Sequence, residues 1–199
     1  MRTFSITWDY RCPFARNANE HVLDGLAAGA AWQVMFVPFS LGQVHVAEGE
    51  PSVWDRPDSD SGLLALQVGT AVRDLQPDRF AAVHRALFAL RHDEGDSLRD
   101  ADTLRNVLDG HDVDADAVFA LVGDGRALKT VREAHEDAVA SHAVFGVPTF
   151  IAGGQAVFVR LMDRPRDAST TPVRTVEHIL DLMEHRADLN EFKHTTIPR

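Results

Sequence analysis

The sequence predicts an α/β fold in which a block of helices interrupts a small β-sheet. Three observations lead to this prediction: a β-α-β pattern at the start of the chain, a long helical middle, and a β-hairpin followed by a helix at the end. The length of 199 residues fits one domain with an insertion. A composition of 45% hydrophobic and 25% charged residues excludes collagen-like and wholly disordered chains.

The β-α-β pattern lies in residues 1–61. Phe4, Ile6 and Trp8 alternate with polar residues, as expected of a strand. Pro13 opens a segment with apolar residues at helical spacing, and proline suits the first helical turn because its missing N–H is not needed there. A run rich in β-branched and aromatic residues, 32–37, predicts the second strand. Such a unit usually has parallel strands joined by a right-handed crossover.

A helical insertion is predicted for residues 62–145. It follows a stretch, 40–61, that is rich in Gly, Pro, Asp and Ser and shows no regular period, so we expect a long loop there. Within the insertion, apolar stripes recur at helical spacing, and Asp100 and Asp114 stand where N-caps are expected.

The chain returns to strands in residues 146–189. Gly153-Gly154 separates two short β-prone runs, which is typical of a two-residue β-hairpin. An apolar stripe at helical spacing then predicts a closing helix, and residues 190–199 form a polar tail. With the insertion set aside, this order of strands and helices resembles that of a thioredoxin-type sheet.

The charge balance and the hydropathy pattern exclude several partners. Thirty acidic and 20 basic residues give a net charge of −10, which argues against binding to a nucleic-acid backbone. No segment approaches the roughly 18 consecutive apolar residues that a membrane span requires. The histidines show no metal-binding spacing, so no metal site is expected.

The chain contains one cysteine, Cys12, and therefore no internal disulfide is expected. The first residues alternate between polar and apolar and reach Asp9 without a continuous apolar stretch, which is unlike a signal peptide. Both observations lead us to expect a cytoplasmic protein.

Cys12 is the candidate reactive group. A lone cysteine is commonly a small buried apolar residue, but Cys12 follows a predicted strand and precedes a helix that begins at Pro13. At a helix N-terminus, free N–H groups and the helix dipole stabilise a thiolate. Arg11 and Arg16 add positive charge nearby, whereas Asp9 opposes them if it lies close. We therefore expect an accessible thiol with a lowered pKa.

Two motifs resemble those of the DsbA-like thioredoxin family. They are 8–15, Trp-Asp-Tyr-Arg-Cys-Pro-Phe-Ala, and 146–150, Gly-Val-Pro-Thr-Phe. The resemblance implies a thioredoxin-like fold with a helical insertion, with Cys12 as the nucleophile and Pro148 as the family's cis-proline. The residues that it implies to bind a thiol or peptide are Pro13, Phe14, Val147 and Pro148.

The sequence departs from this family at Ala15. Members commonly carry Cys-Pro-x-Cys, and the second sulfur releases mixed disulfides. Its loss leaves monothiol chemistry: Cys12 attacks a disulfide, and a small thiol such as glutathione or mycothiol, acting as a co-substrate that is not permanently bound, resolves the adduct. The expected function is therefore a thiol–disulfide oxidoreductase with a small-molecule thiol or disulfide as substrate.

Two alternatives remain open. The chain more loosely resembles the kappa-class glutathione transferases and 2-hydroxychromene-2-carboxylate isomerases, in which the helix N-terminus activates the thiol of a bound cofactor. A binding protein that kept the fold and lost catalysis is the other alternative. Outside the motifs, His45 and Trp54 are candidate pocket residues in the loop after the second strand.

Overall fold

The computed structural model describes residues 1–165 and 170–196. Within them, strand β1 (Arg2–Trp8) pairs in parallel with β2 (Trp32–Pro38) and antiparallel with β3 (Thr149–Ala152). Strand β4 (Gln155–Phe158) pairs antiparallel with β3, so the order across the sheet is β2-β1-β3-β4. The predicted mixed α/β architecture is confirmed.

The helices have the following bounds. Their ranges are α1 (Pro13–Ala27), α2 (Leu41–Val44), α3 (Leu63–Leu75), α4 (Pro77–Ala89), α5 (Ala101–Asp109), α6 (Ala115–Gly123), α7 (Arg126–His142) and α8 (Thr170–His185). A 3₁₀ turn at Pro57–Ser59 and a π-helical turn at Leu90–Glu94 complete the list. Helices α3 to α7 fall inside the segment predicted to be inserted.

Several local predictions are confirmed by hydrogen bonds and dihedral angles. Asp100 accepts a hydrogen bond from the N–H of Thr103 at 2.7 Å, and Asp114 caps α6 in the same way. Gly153 and Gly154 link β3 to β4 with φ values of +57° and +79°, which glycine adopts without strain. The expectation of a loop without regular structure at 40–61 was wrong in part, since α2 and the 3₁₀ turn lie within it.

Two apolar clusters hold the fold together. The smaller one packs the sheet against α1 and α8, and its largest buried side chains include Phe4, Ile6 and Phe150. The larger cluster joins the end of β1 to the helical insertion and includes Cys12 itself. The candidate nucleophile Cys12 therefore lies at the interface between the sheet and the insertion.

A chain of buried hydrogen bonds crosses this interface. The Tyr10 hydroxyl donates to Nδ1 of His84 on α4 at 2.8 Å, and the His84 Nε2–H donates to Oδ1 of Asn19 on α1 at 3.2 Å. The Asn19 amide donates to the carbonyl oxygen of Ala15 at 2.8 Å. All three side chains are fully buried, and burial lowers the pKa of His84 to about 3, so the ring stays neutral.

Two kinds of feature are absent from residues 1–165 and 170–196. None of their helices combines the length and the apolar character that a membrane crossing requires. They also contain no group of three or more His, Cys, Asp or Glu side chains placed to hold a metal ion.

His84 should make stability depend on pH. Because its pKa is near 3 in the folded state and near 6.5 in the unfolded state, the unfolded chain binds more protons as the pH falls. The free energy of unfolding should therefore decrease from about pH 6 to about pH 4.5, with His84 contributing up to about 1.4 kcal/mol per pH unit.

Urea titrations at several pH values would measure this slope. His84→Gln should make it smaller, whereas Phe88→Leu, which alters the same aromatic cluster without removing a titratable group, should leave it unchanged. An equal slope in His84→Gln and the parent protein would contradict the assignment.

Candidate active site

Cys12 is the N-cap residue of α1. Its backbone is extended, with φ −95° and ψ 116°, and its sulfur accepts a hydrogen bond from the N–H of Ala15 at 3.4 Å. Pro13 is the first helical residue, as predicted. The sulfur thus lies where the N–H groups of the first helical turn have no backbone partner.

The loop 146–149 lies against the sulfur from the other side. The Cys12 S–H donates to the carbonyl oxygen of Val147 at 3.4 Å, and the Val147–Pro148 peptide bond is cis. The N–H of Thr149 donates to Oγ1 of Thr7 in β1 at 2.8 Å, which fixes the loop at the end of the sheet. Residues 135 positions apart in the sequence therefore meet at one sulfur atom.

The expectation of an accessible thiol with a lowered pKa was wrong. Cys12 is only 9% exposed, and this burial raises the pKa of the thiol because a thiolate would lose its hydration. The carboxylate of Asp9 raises the pKa further. The N–H groups of Ala15 and Phe14 and the charge of Arg160 lower it, but they do not outweigh burial. The resting thiol is therefore protonated near neutral pH.

Arg11 does not supply the positive charge that the sequence suggested. Its Nη2 lies 2.7 Å from Oδ2 of the fully buried Asp9, and its Nη1 lies 3.0 Å from Oδ2 of Asp60. Two carboxylates therefore balance the charge of this guanidinium.

Arg16 is withdrawn from the sulfur in a similar way. It is buried, its Nε lies 2.9 Å from Oε1 of the buried Glu20, and its terminal nitrogens bind Asp93. Arg164 adds a second cation to Glu20, with Nε 2.6 Å from Oε2. This ion cluster ties α1 to the π-helical turn and to the segment after β4 and leaves no free charge for a thiolate.

The two candidate pocket residues occupy different surroundings. Trp54 is buried and lines a cavity of about 220 Å³ with Gln43 and with His135 of α7, and the rings of Trp54 and His135 lie 5.5 Å apart. Burial lowers the pKa of His135 to about 4. His45 is the exposed C-cap residue of α2 and does not line this cavity. The structure therefore does not bring His45 and Trp54 together at one pocket.

Phe14 borders the sulfur together with a residue that the sequence analysis missed. The guanidinium carbon of Arg160 lies 5.5 Å from the centre of the Phe14 ring. A cavity of about 550 Å³ has Pro13, Asn17 and Met162 in its lining, but neither Phe14 nor Arg160. The predicted hairpin could have indicated Arg160. The second strand of the hairpin pairs with the strand that contains part of the 146–150 motif, so the residues that follow this second strand lie beside the motif.

Comparison with protein families identifies this arrangement. The model of the DSBA-like thioredoxin domain matches residues 5–166. The chain belongs to this family. Comparison with curated protein sequences gives no match.

Solved structures share the fold at low sequence identity. A probable DsbA oxidoreductase from Streptomyces coelicolor has a TM-score of 0.65 and 16% identity over 99% of this chain and 94% of its own. A 2-hydroxychromene-2-carboxylate isomerase has a TM-score of 0.63 and 18% identity, with 95% and 100% covered. Pseudomonas aeruginosa DsbA has a TM-score of 0.58 and 19% identity, with 95% and 86% covered. These neighbours establish a thioredoxin-like fold with a DsbA-type helical insertion.

The electrostatics of the site predict how alkylation of Cys12 depends on pH. Because burial and Asp9 raise the pKa of the thiol, the rate of reaction with iodoacetamide should keep rising above about pH 8.5. Asp9→Asn removes a negative charge and releases Arg11, so the same profile should shift to lower pH. Mass spectrometry of the alkylated protein over time measures both rates.

Asp60→Asn is the matched control, since it removes the other partner of Arg11 and keeps the Asp9–Arg11 pair. Its profile should follow that of the parent protein. A rate that levels off well below about pH 8.5 in the parent would show that the helix N-terminus outweighs burial.

Proposed function

We propose that this protein is a thiol–disulfide oxidoreductase that acts through one nucleophilic cysteine, Cys12, with a small-molecule thiol as its resolving partner. The main observation in support is the position of the Cys12 sulfur, 3.4 Å from the N–H of Ala15 and 3.4 Å from the carbonyl oxygen of Val147. The Val147 backbone then offers hydrogen bonds to a second sulfur-bearing molecule, and Pro13, Phe14 and Pro148 form the walls of its site.

The proposed cycle has two exchange steps that balance in atoms and electrons. In the first, the Cys12 thiolate attacks a substrate disulfide R–S–S–R′, a Cys12–S–S–R bond forms, and R′–S⁻ leaves. In the second, the thiolate of glutathione or mycothiol attacks the R sulfur, a disulfide between that thiol and R forms, and the Cys12 thiolate leaves. The net change is the exchange of one disulfide for another, with no oxidant or metal.

The raised pKa determines how this cycle depends on pH. Only a small fraction of Cys12 is thiolate near neutral pH, which slows the first step. A thiolate of high pKa is intrinsically the stronger nucleophile, which compensates in part. It is also the poorer leaving group, so the Cys12 mixed disulfide should be long-lived until the small thiol is present in excess.

One observation favours a second candidate, a transferase or isomerase that uses a bound small thiol. A protonated Cys12 is a hydrogen-bond donor, and together with the N–H groups of Phe14 and Ala15 it could hold the thiolate of a bound cofactor. In this case Cys12 stabilises a charge and forms no covalent bond. The structural similarity to an isomerase is consistent with this role.

Cys12→Ser separates the two candidates, because serine keeps a donor at this position and cannot form a disulfide. If the proposal is correct, the parent protein incubated with a glutathione- or mycothiol-containing mixed disulfide should carry that thiol on Cys12, and Cys12→Ser should lose exchange activity completely. Intact-protein mass spectrometry and a coupled reductase assay report these outcomes.

If activity requires a small thiol and survives Cys12→Ser, the exchange mechanism is wrong and the transferase or isomerase is favoured. Absence of both an adduct and a small-thiol requirement would instead indicate a binding protein without catalysis. Thr149→Ser is a suitable control, since it keeps both hydroxyl and N–H contacts near the sulfur.

Ala15→Cys should restore a dithiol site. Ala15 lies one helical turn after Cys12, and its N–H already contacts the Cys12 sulfur at 3.4 Å. The new thiol should form an internal disulfide under mild oxidation and release mixed disulfides without a small thiol. Mass spectrometry after alkylation should show the loss of two hydrogens and no label.

The matched control is Ala18→Cys, another buried position on α1 but six residues from Cys12. It should keep both thiols free. If both thiols also remain free in Ala15→Cys, position 15 does not face the sulfur and the proposed geometry is wrong.

A further inference from the structure

Arg160 is held beside the Cys12 site by strand pairing. Strand β4 ends at Phe158, and the N–H of the next residue, Val159, donates to the carbonyl oxygen of Pro148 at 3.1 Å. Arg160 follows directly, and its guanidinium carbon lies 5.5 Å from the centre of the Phe14 ring and 5.9 Å from that of Phe158. Both aromatic rings are within the range of a cation–π contact.

Arg160 differs from the other cations near Cys12 in its pairing. Among residues 1–165 and 170–196 it forms no ion pair, in contrast to Arg11 and Arg164, which bind buried carboxylates. Its positive charge reaches the Cys12 sulfur and lowers the pKa of that thiol. It also reaches Glu191, but the carboxylate of Glu191 is bonded to Lys193 at 2.6 Å. A guanidinium on an aromatic platform is thus available next to the reactive atom.

Apolar surface surrounds this cation. The ring of Phe145 is 66% exposed and its centre lies 5.2 Å from that of Phe158, and Met162, two residues after Arg160 in the chain, is 48% exposed. The cavity of about 550 Å³ beside Pro13 is within the size range of small-molecule sites.

The negative net charge of the protein makes the positive charge of Arg160 important for binding an anionic substrate. At −10 the protein as a whole repels anions, so an anionic substrate needs a local positive charge to reach Cys12. We propose that Arg160 is the anion-binding residue of the Cys12 site, and that the substrates are thiols or disulfides that carry a carboxylate. The inference rests on the proposed function of Cys12 and selects glutathione, which carries carboxylates, over mycothiol, which has none.

Two aromatic disulfides that differ in charge test the inference: 5,5′-dithiobis(2-nitrobenzoate), which carries carboxylates, and neutral 2,2′-dipyridyl disulfide. In each reaction the Cys12 thiolate forms a mixed disulfide and one aromatic thiolate leaves, which absorbs light. Removing Arg160 raises the pKa of Cys12 and slows both reactions equally, so the informative quantity is the ratio of the two rate constants. Arg160→Gln should lower the anionic-to-neutral ratio about fivefold, the factor for an exposed ion pair of about 1 kcal/mol.

Arg91→Gln is the matched control. It removes an exposed arginine of the helical insertion that forms no ion pair within the described part of the chain, and it changes the net charge equally. Its ratio should equal that of the parent, and added salt should reduce the ratio only where Arg160 is present. An unchanged ratio in Arg160→Gln, with Cys12 still reactive, overturns the inference and leaves the proposed function standing.

If Cys12 reacts with neither disulfide, the proposed function is wrong. An equilibrium binding measurement then still tests the role of Arg160. Calorimetric titration of Cys12→Ser with S-methylglutathione and with its dimethyl ester needs no covalent step. The free carboxylates should strengthen binding, and adding Arg160→Gln should remove that preference. Equal binding of acid and ester to Cys12→Ser would contradict the assignment of Arg160 directly.

Discussion

The buried ion pair between Asp9 and Arg11 determines both the geometry and the electrostatics of the site. The Asp9 carboxylate is fully buried and accepts four hydrogen bonds, three from Arg11 and one from the N–H of Leu41 at the start of α2. Arg11 in turn reaches Asp60 in the long loop. One pair therefore joins the end of β1, the turn that presents Cys12 and the segment after β2. A buried carboxylate is tolerated because every oxygen has partners.

The same pair explains why a cysteine at a helix N-terminus keeps its proton. Asp9 adds negative charge near Cys12 and holds the guanidinium of Arg11 that could have opposed it. In dithiol oxidases a stabilised thiolate makes the disulfide strongly oxidising. Here the reduced form gains no such stabilisation, so a Cys12 mixed disulfide should be comparatively resistant to reduction. In the proposed mechanism, in which Ala15 replaces the second sulfur, the mixed disulfide therefore persists until an external thiol attacks it.

Sequence patterns predicted the parts of the structure that depend on local interactions. The hairpin at Gly153-Gly154 and the cap at Asp100 follow from conformational preferences of single residues, and the strands follow from alternation. The pairing of Arg11 with Asp60, 49 residues away, has no local signal, because it depends on how a long loop folds back over the site. The direction of the Cys12 pKa could not be predicted for the same reason: burial and charge pairing are tertiary properties.

The helical insertion is part of the site and not a separate appendage. Its helix α4 supplies His84, which bonds to Tyr10 before Cys12 and to Asn19 after it, and Asn19 bonds to the carbonyl of Ala15 in the first turn of α1. The insertion therefore packs against the region around Cys12 and contributes to the burial that raises the pKa of the Cys12 thiol. The opposite, open side is formed by the residues that follow β4, including Arg160. In the proposed function, the insertion and the Asp9–Arg11 pair control the protonation of the sulfur, whereas Arg160 after β4 binds the molecule that reaches it. The two parts also meet away from the sulfur, because Arg164 in the segment after β4 lies 2.6 Å from Glu20 of α1 and 3.7 Å from Asp93 of the insertion.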